Sequence, residues 1–425
     1  MINFLASPWI PVLVLIVLAG LARFSQGSWL APSAFAPLLW SVYAGAPLLI
    51  LKDTIESSTV WVIVLLILSA QVGAFLTEDA SVRQLSRRRT NVSVYSNLVW
   101  RRAQRIGTAC SIVALLGAGA FVVVALKQTG LPFSWDGVSH LGAVMYGLMV
   151  AGDAQPWWFR LTRMWVFPAV ILGGMVFPTA SSPGKKALTL LGFAPALLMG
   201  TTLASRFGTA MAIACWIGAY LAARASMSRG RFRIRRLLLM TGLSVFAAAT
   251  LMYVALGAVR GQKYEDWESD YVYVGSNLFG YLAVFDNFVR NQSQPDHTFG
   301  IYSFGGPFEL LGLKKRETAL GYVPVVLENG VDSNLYTAFR GLIQDFSLPG
   351  AIVLLFGFGF LAGRAYTSSC LGRIGQVPIL AAYYSFVFWS PIVSVFYYNS
   401  VLLALLVAWI CIRKRATPVE APETV

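Results

Sequence analysis

The sequence predicts an all-α fold: a polytopic integral membrane helix bundle of about eleven transmembrane helices with one large extracytoplasmic loop. Three observations predict it. Hydrophobic residues make up 57% of the 425 and charged residues only 12%, with a mean hydropathy of +0.65, a balance foreign to soluble globules. Apolar runs long enough for about 30 Å of hydrocarbon recur from one end of the chain to the other. The basic residues are collected in blocks between those runs, as the positive-inside rule expects of cytoplasmic connections.

In chain order the spans read 4–22, 30–51, 58–76, 106–126, 161–178, 187–204, 207–223, 237–258, 347–365, 376–395 and 397–412, and residues 1–425 form one transmembrane domain. The first, LASPWIPVLVLIVLAGLA, has no basic segment before it and no small-residue cleavage site behind it, so it reads as a span and not as a secretory signal. The short pair at 187–223 flanks Ser205-Arg206; taken as re-entrant, it leaves the orientation of the other spans unchanged. Gly359 and Gly363, spaced GxxxG, predict close helix packing. Cys110, Cys215, Cys370 and Cys411 show no CxxC spacing and imply no disulfide framework.

Charge sets the orientation. The blocks at 82–105, 224–236 and 413–415 fall on one face of an eleven-span bundle, and of the 33 Lys and Arg 21 fall on that side and 12 on the other. This places the C-terminus in the cytoplasm and the N-terminus outside. The net charge of +14 is accounted for without nucleic acid, since no binding pattern accompanies the basic residues. One outer connection, 259–346, exceeds the others and holds 11 of the 19 acids. A second, 127–160, carries Trp135, His140, Asp153, Trp157, Trp158 and Arg160. Both are too rich in Trp, Tyr, Phe and Gly for disordered segments, so function is expected on this face.

The basic residues there run against the positive-inside bias: Arg160, Arg163, Arg206, Arg260, Arg290, Arg316 and Arg340. Arginine offers a planar fork of donors that suits phosphate, which predicts an anionic partner. The alternative, above all for Arg290 and Arg316, is pairing with the loop's own carboxylates. Asp345 is open to two readings, a cap on the helix that follows or a general base for a sugar hydroxyl. His140 and His297 each stand alone. Trp135, Trp157, Trp158, Trp267, Tyr271 and Tyr273 suit either the membrane interface or stacking on sugar rings. No GxxxxGK[ST], HExxH or His-carboxylate cluster is present, so neither cofactor nor metal is expected.

The stretch SNLYTAFRGLIQDFSLPGAIVLLFGFGFLAGRAY (333–366) resembles the C-terminal signature of bacterial O-antigen or oligosaccharide repeat-unit polymerases of the Wzy type. That signature pairs an Asn-x-Tyr-Thr element with an Asp-Phe-Gly-x-x-Gly element entering a Gly-rich span. Asn334, Tyr336, Thr337, Asp345, Phe346 and Gly350 match it, while Ser347 stands where glycine is usual. TTLASRFGTAM is similar to the Ser-Arg at a helix end upstream, and the motif resemblance covers about 200–365.

The resemblance implies a GT-C-like bundle acting at the periplasmic face of the bacterial inner membrane. It would join undecaprenyl-pyrophosphate-linked oligosaccharide repeat units into O-antigen, capsule or exopolysaccharide, as an inverting, metal-independent glycosyltransferase. Its partners would be membrane lipid and a chain-length-determining co-polymerase. Taken with the residues of the outer face, it makes Asp345, Arg340 and Tyr336 the expected catalytic residues, and Arg206, Arg260, Arg290, Asn334, Thr337 and His297 the expected substrate contacts. Two other readings stay open. An O-antigen ligase shares the architecture, but His297 in QPDHTFG lacks the expected context. A lipid-linked-oligosaccharide transporter or flippase would favour intramembrane charges and two related halves; no repeat is visible and the spans are nearly free of acids.

Overall fold

Surrounded by lipid, a helix need not hide its apolar residues, and α1 (Trp9–Gln26) shows what then selects the inner face. Val12, Leu15, Ala19 and Ala22 turn inward while Leu13, Ile16, Val17 and Leu21 stay exposed. Both stripes are apolar, and only the inner one carries alanines that let a neighbour approach.

The computed structural model describes residues 7–51, 55–78, 93–150, 156–203, 206–228, 267–291, 297–313, 325–327, 330, 332–333 and 335–413, with backbone alone at 93–98, 135–136, 139, 146, 149–150, 206 and 267–272. After α1 come α2 (Pro32–Ile50), α3 (Ser57–Thr77), α4 (Ser93–Thr129), α5 (Trp135–Val150), α6 (Trp157–Arg163) and α7 (Val166–Val176). Then follow α8 (Pro183–Leu190), α9 (Phe193–Thr202), α10 (Arg206–Ser228), α11 (Trp267–Phe279), α12 (Tyr281–Asn291) and α13 (Gly305–Leu310). Two short antiparallel strands, β1 (Val325–Val326) and β2 (Asp332–Ser333), precede α14 (Thr337–Cys370), α15 (Val377–Trp389) and α16 (Asn399–Arg413).

Among the described residues seven stretches are long and apolar enough to cross a membrane: Trp9–Gln26, Pro32–Ile50, Ser57–Thr77, Val99–Thr129, Trp157–Thr179, Phe207–Ser228 and Thr337–Cys370. Ile374–Trp389 and Asn399–Arg413 are shorter apolar helices. The architecture is that of an all-α, multi-pass membrane protein.

The expected spans are corrected in several places. The stretch 187–204 is split between α8 and α9, neither long enough alone; Pro195 has no N–H to return to Leu191, where the chain turns. Residues 127–160, read as a connection, hold the helix α5. Its glycines and Ser139 and His140 dilute the hydropathy, yet Val138, Leu141 and Met145 share a packed face at helical spacing. The tenth span stops at Trp389 because Ser390 and Pro391 break it. The ninth begins at Thr337, ten residues before the expected edge, so the end of the large connection is helix. The expected span 237–258 lies outside the described residues.

The GxxxG pair packs as expected. A Cβ on Gly359 would lie 1.9 Å from the Ala70 carbonyl oxygen, and one on Gly363 2.3 Å from that of Ala74, so only glycine lets α14 and α3 meet this closely. Thr77 extends the seam by donating to the Phe360 carbonyl at 2.9 Å. At the same end of the bundle, Glu78 accepts the Ser33 N–H at 2.9 Å and the Ser33 hydroxyl, tying the end of α3 to the start of α2. The four cysteines are buried and free.

Candidate functional site

At the other end of the same seam α14 is bent. Ser347 sits at φ 63° and ψ 171°, a region essentially reserved for glycine. Pro349 has no N–H to return to the Asp345 carbonyl four residues back. The helix divides into limbs 337–346 and 348–370, and the released carbonyl accepts the Phe299 N–H at 3.2 Å. The local sequence SLPG thus makes both a kink and a hook.

The Asp345 side chain works in the same direction. Its carboxylate, 0% exposed, accepts the Thr298 hydroxyl at 2.5 Å, the Tyr302 N–H at 3.1 Å and the Ser303 N–H at 2.7 Å. It lies in the last turn of the first limb, ahead of the kink, so it does not cap the helix that follows. A general base must present a lone pair to its substrate; here the donors of 298–303 enclose the carboxylate.

Thr337 opens the first limb at φ 56°, fully buried, and its hydroxyl oxygen accepts the Arg340 N–H at 3.3 Å. That oxygen caps the limb. One turn on, the Arg340 guanidinium lies 4.8 Å from the Tyr336 ring centre and 5.0 Å from that of Phe288, a cation held on aromatic faces. Burial pushes the Tyr336 phenol up to about 12, with the Arg340 charge pulling the other way. Tyr336 is therefore a neutral hydrogen-bond donor at physiological pH, not a base.

Phe288 is brought there by α12, which is itself anchored. Asp286, buried on that helix, accepts the Glu56 N–H at 3.0 Å and the Thr59 hydroxyl at 2.6 Å, and so caps the start of α3. Arg290 pairs with Asp286 at 2.7 Å, one turn away on the same helix, and stays 40% exposed. The pairing reading thus describes Arg290.

Three segments carrying predicted residues converge on the turn between α15 and α16. Ala338 and Tyr336 donate their N–H groups to the carbonyls of Ser390 at 2.7 Å and Ile392 at 3.1 Å. Phe207, next to Arg206, packs on Trp389 and Tyr398 with ring centres 5.0 and 5.2 Å away. Phe304 stacks on Phe396 at 6.3 Å. Arg206 itself opens α10, and its side chain lies outside the described residues, as do Arg260, Arg316 and Asn334 entirely. His297 is exposed immediately before Thr298.

Two parts of this arrangement escaped the sequence reading. Most of the turn at 389–399 falls within the expected span 376–395, although Ser390 and Pro391 signal a turn there. Asp286 carried one signal, its spacing of four from Arg290. Among the described residues no group of three or more His, Cys, Asp or Glu is placed to hold a metal. Compared with protein-family models, curated proteins and solved structures, the chain finds no match in any of the three.

Proposed function

We propose that the protein is a polysaccharide polymerase that joins undecaprenyl-pyrophosphate-linked oligosaccharide repeat units at the periplasmic face of the inner membrane, with its N-terminus periplasmic and its C-terminus cytoplasmic. The observation that carries this reading is Arg340, a guanidinium set on the Tyr336 and Phe288 rings at the mouth of an apolar helix limb. A lipid-linked pyrophosphate calls for a cation near the end of an apolar span, and Arg340 precedes the apolar limb 348–370. The resemblance of 333–366 to the polymerase signature supports the same reading.

In the reaction the acceptor hydroxyl oxygen attacks the donor's anomeric carbon, and the bond to the pyrophosphate breaks on the opposite face. The electron pair leaves on the pyrophosphate, where a preorganised cation is worth most, and the acceptor hydroxyl gives up its proton through water to an oxygen of the departing pyrophosphate. Arg340 serves that charge, with Arg206 and Arg260 as further contacts. Arg290 enters as a cation already paired. Asp345 acts by position, fixing the 298–303 segment and with it His297, and Tyr336 donates a hydrogen bond. Asn334 and Thr337 are the signature residues flanking Tyr336, of which Thr337 holds the limb.

Deleting the gene in a host with a ligase tests the reading. The expected surface glycan carries single repeat units. Full-length polymer left on undecaprenyl pyrophosphate would identify a ligase instead, and unchanged long glycan in a host with no second copy would reject the proposal.

A further inference from the structure

Among the described residues, 297–313 is fastened to the bundle at two points, and the turn that closes α13 exposes an apolar tip. One fastening is Asp345, through the hydrogen bonds to 298–303. The other is α13: a Cβ on Gly305 would lie 2.2 Å from the Tyr397 ring, and one on Gly306 2.7 Å from the Asn399 side chain. Both are boundary positions of apolar helices. Asp345 precedes the limb whose Val353, Leu354, Phe356 and Leu361 are exposed, and Asn399 opens α16, where Leu406 and Ile410 are exposed. The segment therefore lies where lipid-facing surface begins.

The tip is built, not merely trailing. Gly312, at φ 69°, donates its N–H to the Glu309 carbonyl at 3.1 Å while Leu313 donates to Phe308 at 2.9 Å, the two bonds of a Schellman cap. On this fixed backbone Leu310 is 74% exposed, Leu311 73% and Leu313 65%. Three large apolar side chains on one fixed turn, left uncovered by the described residues, form an apolar patch that needs an apolar surrounding.

We propose that 297–313 is an interfacial element whose tip, Leu310, Leu311 and Leu313, inserts into phospholipid at the headgroup–acyl boundary beside α14 and α16. Continuity decides the occupant: the exposed apolar faces of those two helices lead up to the same fastening points. Apolar faces of interfacial elements seat about 5–10 Å deep at this boundary. The proposal does not depend on the polymerase reading.

The full chain in phosphatidylcholine–phosphatidylglycerol nanodiscs provides the test. A polarity-sensitive fluorophore on Leu311→Cys should emit at shorter wavelength than the same label on the exposed Asp332→Cys. It should lose most of its emission to nitroxide on the upper acyl chain and little to aqueous iodide. Leu361→Cys on α14 supplies the lipid-facing reference, Leu313→Cys repeats the measurement, and labelled wild type, whose cysteines are buried, sets the background. Iodide quenching equal to that of Asp332→Cys would place the tip in water. Protection from both quenchers would place it under protein. Either result overturns the proposal.

Discussion

The Ser303 main-chain N–H points at the Asp345 carboxylate across 2.7 Å, joining residues 42 positions apart in the chain. With Thr298 and Tyr302 it turns one side chain into the anchor of a whole segment. Asp345→Asn puts an amide where the carboxylate faced three donors, so at least one N–H meets another donor. The expected loss is about 2 kcal/mol, the scale of a hydrogen bond to a charged group, read as a lower midpoint in a thermal unfolding series in detergent. Thr298→Val removes one donor at similar volume and should cost about 1 kcal/mol. Unchanged stability in both variants would show that the segment does not rest on Asp345.

Ser347 carries a conformation that suits glycine, the residue that the resembled signature places there. Strain of about 1–3 kcal/mol is relieved by Ser347→Gly, and the extra freedom of the unfolded chain takes back about 0.5–1 kcal/mol. The expected net result is a stabilised protein with the kink retained. Ser347→Val, β-branched at positive φ, should be markedly less stable than wild type. A destabilised glycine variant would contradict the backbone geometry.

How much of this was legible depended on distance along the chain. Hydropathy marked seven long apolar helices but misplaced the breaks near 191 and 390. The short-range pattern around Tyr336, Arg340 and Asp345 drew attention to the start of α14, because those residues lie within three turns of one another. The GxxxG pair was readable for the same reason. The partners of Asp345 come from more than forty residues upstream, and Asp286 caps a helix more than two hundred residues away. No local pattern encodes such pairings. The kink was half legible: SLPG announces a break, but only the fold shows that the carbonyl released by Pro349 takes the Phe299 N–H.

At the end of the bundle away from Asp345, burial pushes the Glu78 carboxyl up from 4.5 to about 7, against the hydrogen bonds from Ser33. A raised carboxyl keeps its proton in the folded state at pH values where the unfolded chain has lost it. Its contribution is fully present below about 4.5 and is lost as pH rises through about 7. Over that window the difference approaches about 3 kcal/mol at about 1.4 kcal/mol per pH unit. Wild type should therefore lose stability from pH 5 to pH 8 relative to Glu78→Gln, measured as paired thermal midpoints in one detergent. Parallel pH profiles would contradict the assignment.

Orientation is open to direct measurement at exposed positions. In intact cells an impermeant thiol reagent should label Asp332→Cys, on the exposed face of β2, and should label Met227→Cys, near the end of α10, only after permeabilisation. The reverse pattern would move the Arg340 mouth to the cytoplasm and remove the proposed substrate from its reach.

The most direct test is polymer formation by the purified protein, reconstituted in lipid with purified undecaprenyl-pyrophosphate-linked repeat units and resolved as a glycan ladder. Wild type should extend the units into a ladder. Arg340→Lys should fail nearly as badly as Arg340→Ala at equal abundance, because an ammonium reproduces neither the planar fork nor its seat on the Tyr336 and Phe288 rings. A wild-type protein that leaves active lipid-linked units unjoined, or an Arg340→Lys variant that polymerises at the wild-type rate, would contradict the assignment of this mouth as a pyrophosphate-binding polymerase site.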